Sequence, residues 1–140
     1  MIAGIGTDIV DIDGFREQLS DPATTFVEGV FTGGELSDVE RRPARDKTPH
    51  LAARYAAKEA FIKAWSASNH GRQPVLKNVN FRDREVQTDP HGRPTLALHG
   101  QVKNSFEKDR LGAMHLSISH DGGTAAAFVV IESNKQPLEH

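Results

Sequence analysis

The 140-residue sequence contains no cysteine, few aromatic residues and no long apolar run. Without cysteine, the chain can form no disulfide, no cysteine-ligated zinc site and no thiol nucleophile. Aromatic residues make up only 6% of it, which leaves few rings for stacking nucleic-acid bases. No stretch approaches about eighteen consecutive apolar residues, and residues 1–4 do not begin a signal peptide. We therefore predict a cytoplasmic protein that binds no membrane.

The length is that of one domain, large enough to bury its own hydrophobic core. A content of 37% hydrophobic and 26% charged residues is ordinary for a globular protein and argues against both wholesale disorder and a coiled-coil rod. We assign residues 1–137 to a single domain. We interpret Leu138-Glu139-His140 as the remnant of an expression tag and leave it out of the functional argument.

The net charge of −2 is unevenly distributed along the chain. Residues 1–40 hold nine acids and one base, whereas residues 41–63 hold seven bases and two acids. A strongly basic middle segment is typical of a protein that handles anionic partners. The sequence therefore predicts phosphate-bearing or acidic ligands.

The longest predicted element is a helix that begins at Thr48-Pro49 and ends near Trp65. Thr48 is a candidate N-cap, and proline is favourable in the first turn because its missing N–H would be unpaired there. Alanine recurs through this segment, which raises helix propensity and lets a neighbouring backbone pack closely. A shorter helix is indicated by Thr32 and Glu35, which have the spacing of a capping box.

Strand patterns lie on both sides of the long helix. A first strand ends near Ile9 and precedes a short helix, while alternation in residues 115–120 and the glycines that follow predict a hairpin. The other expected elements are a polar loop at 66–74, an interrupted strand from Val79 to Val86, a turn at 89–94, a strand at 95–98 and a helix at 101–110. Together they predict an α+β fold with a mostly antiparallel sheet packed on a long central helix.

Asp8, Glu59 and Lys63 are the first candidates for a functional site. Glu59 and Lys63 are four residues apart and share a helix face, and Asp8 ends an apolar strand whose glycines permit close backbone approach. Two carboxylates from separate elements, with a lysine beside them, suit Mg²⁺ and a phosphate. The alternatives are a solvated Glu59–Lys63 pair and a helix-capping role for Asp8.

Ser117, Ser119 and His120 form a second candidate cluster. A nucleophilic triad with Asp121 is disfavoured because adjacent residues on a strand point to opposite faces. Hydrogen bonding to a ligand phosphate and a histidine satisfied within the sheet remain as the two alternatives. The other histidines show no metal-ligand spacing, so a zinc site is not expected.

Five segments, taken in order, carry a family resemblance. They are residues 4–12 (GIGTDIVDI), Phe31-Thr32 with Glu35, residues 54–64 (RYAAKEAFIKA), residues 92–94 (GRP) and residues 116–120 (LSISH). The set resembles the holo-acyl-carrier-protein synthases, the small bacterial 4′-phosphopantetheinyl transferases, over nearly the whole chain. The resemblance implies that family's fold. It also implies transfer of the phosphopantetheine arm of coenzyme A to a serine of an apo acyl carrier protein or carrier domain, with release of adenosine 3′,5′-bisphosphate.

The resemblance also implies roles for individual residues. Asp8 and Glu59 would hold Mg²⁺ on the coenzyme A pyrophosphate, and Lys63 would contact the phosphates near the transferring phosphorus. Contacts to coenzyme A would come from Arg54, Lys58, Gly92, Arg93, Pro94, Ser119 and His120. The family is typically a homotrimer with active sites between subunits. The base that removes the serine proton stays open between Glu59 and a metal-held water.

The sequence departs from the family pattern at several positions, and two other functions are alternatives. Gly14-Phe15 stands where the family usually has an arginine, and residues 65–74 replace the family's short glycine-rich loop. These differences would suit a different acceptor, such as a carrier domain within a large synthase. The first alternative function is a nucleic-acid-binding module that uses the basic segment 41–63, which the net negative charge and few aromatics oppose. A non-catalytic carrier-binding subunit would be expected to lack the metal-binding acids, and both are present.

Overall fold

A three-stranded antiparallel sheet lies against one long helix. Its strands are β1 (Ile2–Asp11), β4 (Leu111–Asp121) and β5 (Thr124–Ser133), in the order β1-β5-β4. The helix is α4 (Thr48–Ser68), and the computed structural model describes residues 1–72 and 80–134. The predicted α+β class and the central helix are confirmed.

Shorter elements complete the fold. They are α1 (Ile12–Ser20), α2 (Phe26–Val30), α3 (Gly33–Glu40), a 3-10 turn (Phe81–Asp83), β2 (Arg84–Thr88), β3 (Pro94–Leu98) and α5 (Gly100–Lys108). The strands β2 and β3 pair with each other as a separate antiparallel ribbon. Within residues 1–72 and 80–134, no helix has the length and apolarity needed to cross a membrane.

Direct backbone contact joins β1 to α4. A Cβ atom on Gly4 would lie 2.0 Å from the carbonyl oxygen of Ala64, and one on Gly6 would lie 2.1 Å from that of Ala60. No side chain fits at either position, so the expected close approach over the alanines of the helix is confirmed. Asp8 is the next residue on this face of the strand, and it is therefore held against α4.

Aromatic rings fill the core beyond this contact. Phe61, Trp65 and Phe106 are buried, with their ring centroids 5.6 to 5.7 Å apart. The buried face of β5 packs on the same side through Val129 and Ile131. This packing stabilises the sheet against α4 through burial of apolar surface.

Several predicted boundaries are corrected by the structure. Lys47 is the N-cap residue of α4, not Thr48, and the helix continues past Trp65 to Ser68. The strand expected to span Val79 to Val86 begins only at Arg84, because a 3-10 turn precedes it. Helix α2 was not predicted at all: it is five residues long and has no side-chain cap. Val79, the end of the 66–74 loop and the tag interpretation at 138–140 lie outside the described residues.

The predicted capping box at α3 is confirmed and yields a first test. The Thr32 hydroxyl accepts from the Glu35 amide at 3.1 Å, and the Glu35 carboxylate accepts from the Thr32 amide at 3.0 Å. We expect Thr32→Ala to lower the free energy of unfolding by about 1 kcal/mol or more, measured by urea denaturation, because the Glu35 amide loses its acceptor and the Glu85 carboxylate loses a donor. Thr32→Ser retains the hydroxyl and should stay near the parent value. Equal losses in both variants would contradict the capping role.

Candidate functional site

Asp8 and Lys63 meet at the contact between β1 and α4. The Lys63 ammonium donates to Asp8 Oδ1 at 2.8 Å, and the Asp8 side chain is 14% exposed. This hydrogen bond raises the pKa of Lys63. Asp11, not Asp8, caps α1, since its carboxylate accepts from the Gly14 amide at 3.0 Å. The capping alternative for Asp8 is therefore wrong.

Glu59 lies on the same helix face, one turn before Lys63 and one turn after Tyr55. Burial raises the pKa of the Tyr55 phenol, and the negative charges of Glu59 and Asp8 raise it further. Glu59 also acts on Lys63, whose pKa it helps to raise. In the structure, Asp8 and Glu59 therefore both lie close enough to Lys63 for their negative charges to act on its ammonium group.

The donor set at this place suits a hard cation that keeps several non-protein ligands. Across residues 1–72 and 80–134, no group of three or more histidine, cysteine or acidic side chains could enclose a metal ion. Zinc requires three or four protein ligands of such types. Mg²⁺ needs only one or two carboxylates and takes its other ligands from water and phosphate oxygens, so Asp8 and Glu59 fit it.

An aromatic cluster borders the site on the side of α1 and α2. The Tyr55 ring stacks on Phe81, with centroids 5.6 Å apart and planes 21° apart. Phe15 and Phe26 contact the same ring at 5.6 and 5.5 Å. These contacts hold Tyr55 in place, and with it they fix the turn of α4 that leads to Glu59.

A second group of polar residues centres on Asp38 of α3. Its carboxylate accepts from Arg54, which is 3% exposed, from Arg42 at 3.3 Å and from the Thr88 hydroxyl at 3.1 Å. Burial would raise the pKa of Asp38, but the hydrogen bonds from Arg54 and Arg42 outweigh it and lower the pKa. Asp38 therefore ties α3, α4 and β2 together through charge-assisted hydrogen bonds.

His120 and Arg54 both belong to this second group. The His120 ring contacts the His50 ring with centroids 5.6 Å apart, and Arg54 donates to the His50 carbonyl oxygen at 3.1 Å. Burial lowers the pKa of His50, and the charges of Arg54 and His120 lower it further. Ser119 is the residue before His120 on β4, so its side chain points to the opposite face of the sheet. Within one chain, Ser119 and His120 therefore do not face the same site.

The turn that joins β2 to β3 extends the second group. Gly92 has φ +82°, a left-handed conformation that glycine adopts without strain, and its Cβ position would lie 3.5 Å from Arg42 Nη1. Arg93 forms an ion pair with Asp89 at 2.9 Å, and Pro94 begins β3. An open groove beside this turn is lined by Asp38, Arg41, Arg42, Pro43, Thr88, Asp89 and Pro90.

Lys58 is the one predicted ligand contact that the structure contradicts. Its side chain is 0% exposed, and its ammonium donates to Glu35 at 2.6 Å and to the carbonyl oxygens of Val30 and Phe81 at 2.5 and 3.2 Å. With all three N–H donors used inside the protein, Lys58 has none for coenzyme A. Lys58 is instead a structural cation paired with Glu35.

The sequence did not predict the roles of three residues in or near these groups: Asp38, His50 and Arg84. Asp38 stands four residues before Arg42, a spacing that could have indicated their pairing. His50 and Arg84 had no such local signal, because His50 meets His120 and Arg84 meets α4 only in the folded chain. The basic segment 41–63 is largely used within the protein: Arg54 and Lys58 are buried and Arg42 pairs with Asp38, which weighs against the nucleic-acid alternative.

Comparison with known proteins gives consistent matches along the chain. The model of the 4′-phosphopantetheinyl transferase superfamily matches residues 4–128. A holo-[acyl-carrier-protein] synthase of Mycobacterium sp. (strain KMS) is 47% identical over 135 residues, covering 94% of this chain and 97% of the relative.

Two solved structures show the same similarity in three dimensions. An ACPS–CoA complex of Chronobacterium ammoniagenes is 43% identical, with a TM-score of 0.85 and coverage of 94% of this chain and 98% of the other. A holo-(acyl-carrier-protein) synthase of Bacillus anthracis in complex with CoA (3′,5′-ADP) is 34% identical, with a TM-score of 0.70 and coverage of 95% and 98%. The match therefore extends over the whole fold described above.

Proposed function

The chain belongs to the 4′-phosphopantetheinyl transferase superfamily, and we propose that it moves the phosphopantetheine arm of coenzyme A onto a serine of an apo acyl carrier protein or carrier domain. In this reaction the serine oxygen bonds to the phosphorus that carries the arm, and the pyrophosphate bridge to the nucleotide breaks. Adenosine 3′,5′-bisphosphate leaves with the bridging oxygen. The observation that carries the proposal is the convergence of Asp8, Glu59 and Lys63 where β1 meets α4.

The three residues have separate roles in the proposed reaction. Asp8 and Glu59 would hold Mg²⁺, which neutralises charge on the pyrophosphate when bound. Lys63 is 54% exposed, so its ammonium can turn from Asp8 to a phosphate oxygen. Phosphoryl transfer requires mainly positioning and charge neutralisation, and the attacking hydroxyl comes from the carrier. The reaction needs no nucleophile from the enzyme, so the absence of cysteine from this chain does not oppose the proposal.

The second group of residues supports binding of the nucleotide part of coenzyme A. Arg54 and Glu59 are five residues apart on α4, which corresponds to about 7.5 Å along the helix axis. His120, through His50, and Gly92, through Arg42, both adjoin the ion pair of Arg54 with Asp38. Arg93, which is 74% exposed, His120 and the backbone of this turn offer donors that suit the anionic nucleotide. Arg54 is buried and bonded to Asp38 and His50, so it would orient this group of residues.

The decisive test of this function is a mass measurement on the acceptor. The purified protein is incubated with Mg²⁺, coenzyme A and a set of apo acyl carrier proteins and excised carrier domains, and each acceptor is then weighed. We expect one or more to gain the mass of a phosphopantetheine group, and the gain to disappear when EDTA replaces Mg²⁺. A folded protein that modifies none of the acceptors would contradict the proposal.

The exposed face of the sheet supports the proposed homotrimer. Ile5, Ile9 and Phe128 lie on the side of the sheet opposite α4, with 49%, 71% and 48% of their surface exposed. Large apolar side chains exposed together on one face of a sheet are typical of a subunit interface. We propose that copies of the chain pack on this face and that the active sites lie between subunits, which would give Ser119 a neighbouring chain to contact.

A charge on this face should prevent assembly. Ile9→Asp is expected to convert the trimer to a monomer, because the interface would have to bury an unpaired carboxylate. Gln18→Asp adds the same charge at an exposed position of α1 and should leave the trimer intact. Light scattering gives the molar mass of each variant. A monomeric parent protein, or a trimeric Ile9→Asp variant, would contradict the interface.

We also infer a cytoplasmic location, since a cysteine-free chain suits a reducing compartment. The proposed partners are coenzyme A and the acyl carrier. No nucleic-acid partner is proposed, because much of the basic segment is engaged in contacts within the chain.

A further inference from the structure

Arg84 is a buried cation placed directly behind the helical turn that carries Glu59. Its side chain is among the largest fully buried ones, with 1% exposure. Its Nη1 donates to the Lys58 carbonyl oxygen at 2.8 Å, and its guanidinium carbon lies 4.0 Å from the centroid of the Phe81 ring. That carbonyl belongs to the peptide bond that joins Lys58 to Glu59. The geometry therefore fixes a positive charge at the backbone of Glu59.

Two other ionic groups near this part of α4 already have partners. Lys58 is compensated by Glu35 at 2.6 Å, and Asp8 is compensated by Lys63 at 2.8 Å. Burial lowers the pKa of Arg84 to about 10, and the largest opposing influence is the negative charge of Glu59. Arg84 is therefore still charged at neutral pH, and the Glu59 carboxylate stabilises this charge more than the Asp83 carboxylate does.

Asp8 thus accepts a hydrogen bond from the Lys63 ammonium, and the Arg84 guanidinium lies behind the helical turn of Glu59, on the preceding peptide carbonyl. We propose that Arg84, together with Lys63, keeps Glu59 and Asp8 compensated until coenzyme A arrives, so that the divalent cation binds together with the pyrophosphate and not ahead of it. This inference rests on the proposed function. Arg84 has no exposed surface with which to touch a ligand, so it is a positioning residue that acts through Glu59.

The physical reason is the net charge that an arriving ion meets. A divalent cation gains much less Coulomb attraction from a site whose two carboxylates are already neutralised than from one that carries two negative charges. The pyrophosphate of coenzyme A supplies new negative charge and so restores the attraction. The same buried guanidinium also attracts the pyrophosphate. Arg84 therefore weakens binding of the metal alone and strengthens binding of coenzyme A alone.

Three variants separate this charge effect from a packing effect. Arg84→Met removes the charge and keeps much of the side-chain length, a change that buried ionic sites often tolerate. Arg84→Lys keeps a positive charge. Arg82→Met removes one positive charge from an exposed residue of the same 3-10 turn, so it controls for the net charge of the chain.

The experiment measures binding without turnover. Metal-free protein is titrated with Mn²⁺, which favours oxygen ligands as Mg²⁺ does, and free Mn²⁺ is read by electron paramagnetic resonance with and without coenzyme A. A protein-free sample corrects for Mn²⁺ held by coenzyme A itself. Calorimetry gives the affinity for coenzyme A in the absence of metal, and thermal unfolding confirms that each variant is folded.

Opposite shifts in the two affinities are expected from Arg84→Met. Relative to the parent, this variant should bind Mn²⁺ alone about fivefold more tightly and coenzyme A alone about fivefold more weakly. Arg84→Lys and Arg82→Met should both resemble the parent. A purely structural role would instead weaken both ligands or shift only the melting temperature, and either result would overturn the inference.

A further measurement uses only the parent protein, so it does not require any variant to fold. Its affinity for Mn²⁺ should rise about tenfold when coenzyme A is present. Equal Mn²⁺ affinity with and without coenzyme A would overturn the inference and leave the proposed metal pair standing. No Mn²⁺ binding even with coenzyme A would contradict the metal assignment of the proposed function itself, and the inference with it.

Discussion

Asp8→Asn and Glu59→Gln are each expected to reduce phosphopantetheine transfer by at least about 10²-fold while the protein remains folded. Each change keeps the size of the side chain and removes the negative charge that would hold Mg²⁺. Asp8 is 14% exposed and its lysine partner is 54% exposed, so loss of this ion pair should change stability little. The measurement is the rate at which an apo carrier gains mass, with circular dichroism as the check on folding.

Asp11→Asn is the matched control for this prediction. Asp11 ends the same strand, but its carboxylate caps α1 by accepting from the Gly14 amide. Asparagine caps helices about as well as aspartate, so both transfer and stability should stay close to those of the parent. Turnover in Asp8→Asn or Glu59→Gln that matches the Asp11→Asn control would remove the metal assignment.

Gly6→Ala should strongly destabilise the packing of β1 on α4. Its Cβ would lie 2.1 Å from the Ala60 carbonyl oxygen and 2.5 Å from the Ala64 amide nitrogen, and both are backbone atoms that cannot rotate away. The strand and the helix would have to separate, which we expect to lower the free energy of unfolding by about 3 kcal/mol or more. Urea denaturation followed by circular dichroism measures the loss, and a variant that does not accumulate in folded form agrees with it.

Gly29→Ala is the corresponding glycine control. Gly29 lies in helix α2, and a Cβ atom there would meet nothing within 4 Å. Alanine favours a helix over glycine by about 0.5 to 1 kcal/mol, so this variant should be as stable as the parent or slightly more stable. Similar unfolding midpoints for Gly6→Ala and Gly29→Ala would show that β1 and α4 are not held by backbone contact.

Local patterns in the sequence predicted the elements that depend on near neighbours. The alanine-rich helix, the Thr32–Glu35 capping box and the hairpin of β4 and β5 each rest on residues within a few positions of one another, and all three were confirmed. The close approach of β1 to α4 was also predictable, because Gly4, Gly6 and the alanines leave room for nothing else.

Burial of charge was not predictable from the sequence in the same way. Lys58 is part of the motif at residues 54–64, which suggested a ligand contact. Its ammonium instead lies among groups from α3 and from the turn before β2, which are distant in sequence. Arg84 stands in a short strand where the pattern predicts only alternation, and its position behind α4 follows from tertiary packing. The exposure of an ionic side chain depends on the whole fold.

The alternation of β1 has a consequence for insertions and deletions. One face of the strand presents Gly4, Gly6 and Asp8 to α4, and the other presents Ile5 and Ile9 to the proposed subunit interface. Adding or removing a single residue between Ile9 and Asp11, with α1 and the rest of the sheet in place, would shift the preceding residues by one position and exchange the two faces. Isoleucines would then meet the helix backbone and Asp8 would face the neighbouring subunit. The proposed metal binding and assembly would therefore both be lost in one mutational step, whereas Asp8→Asn or Ile9→Asp is expected to impair only one of them.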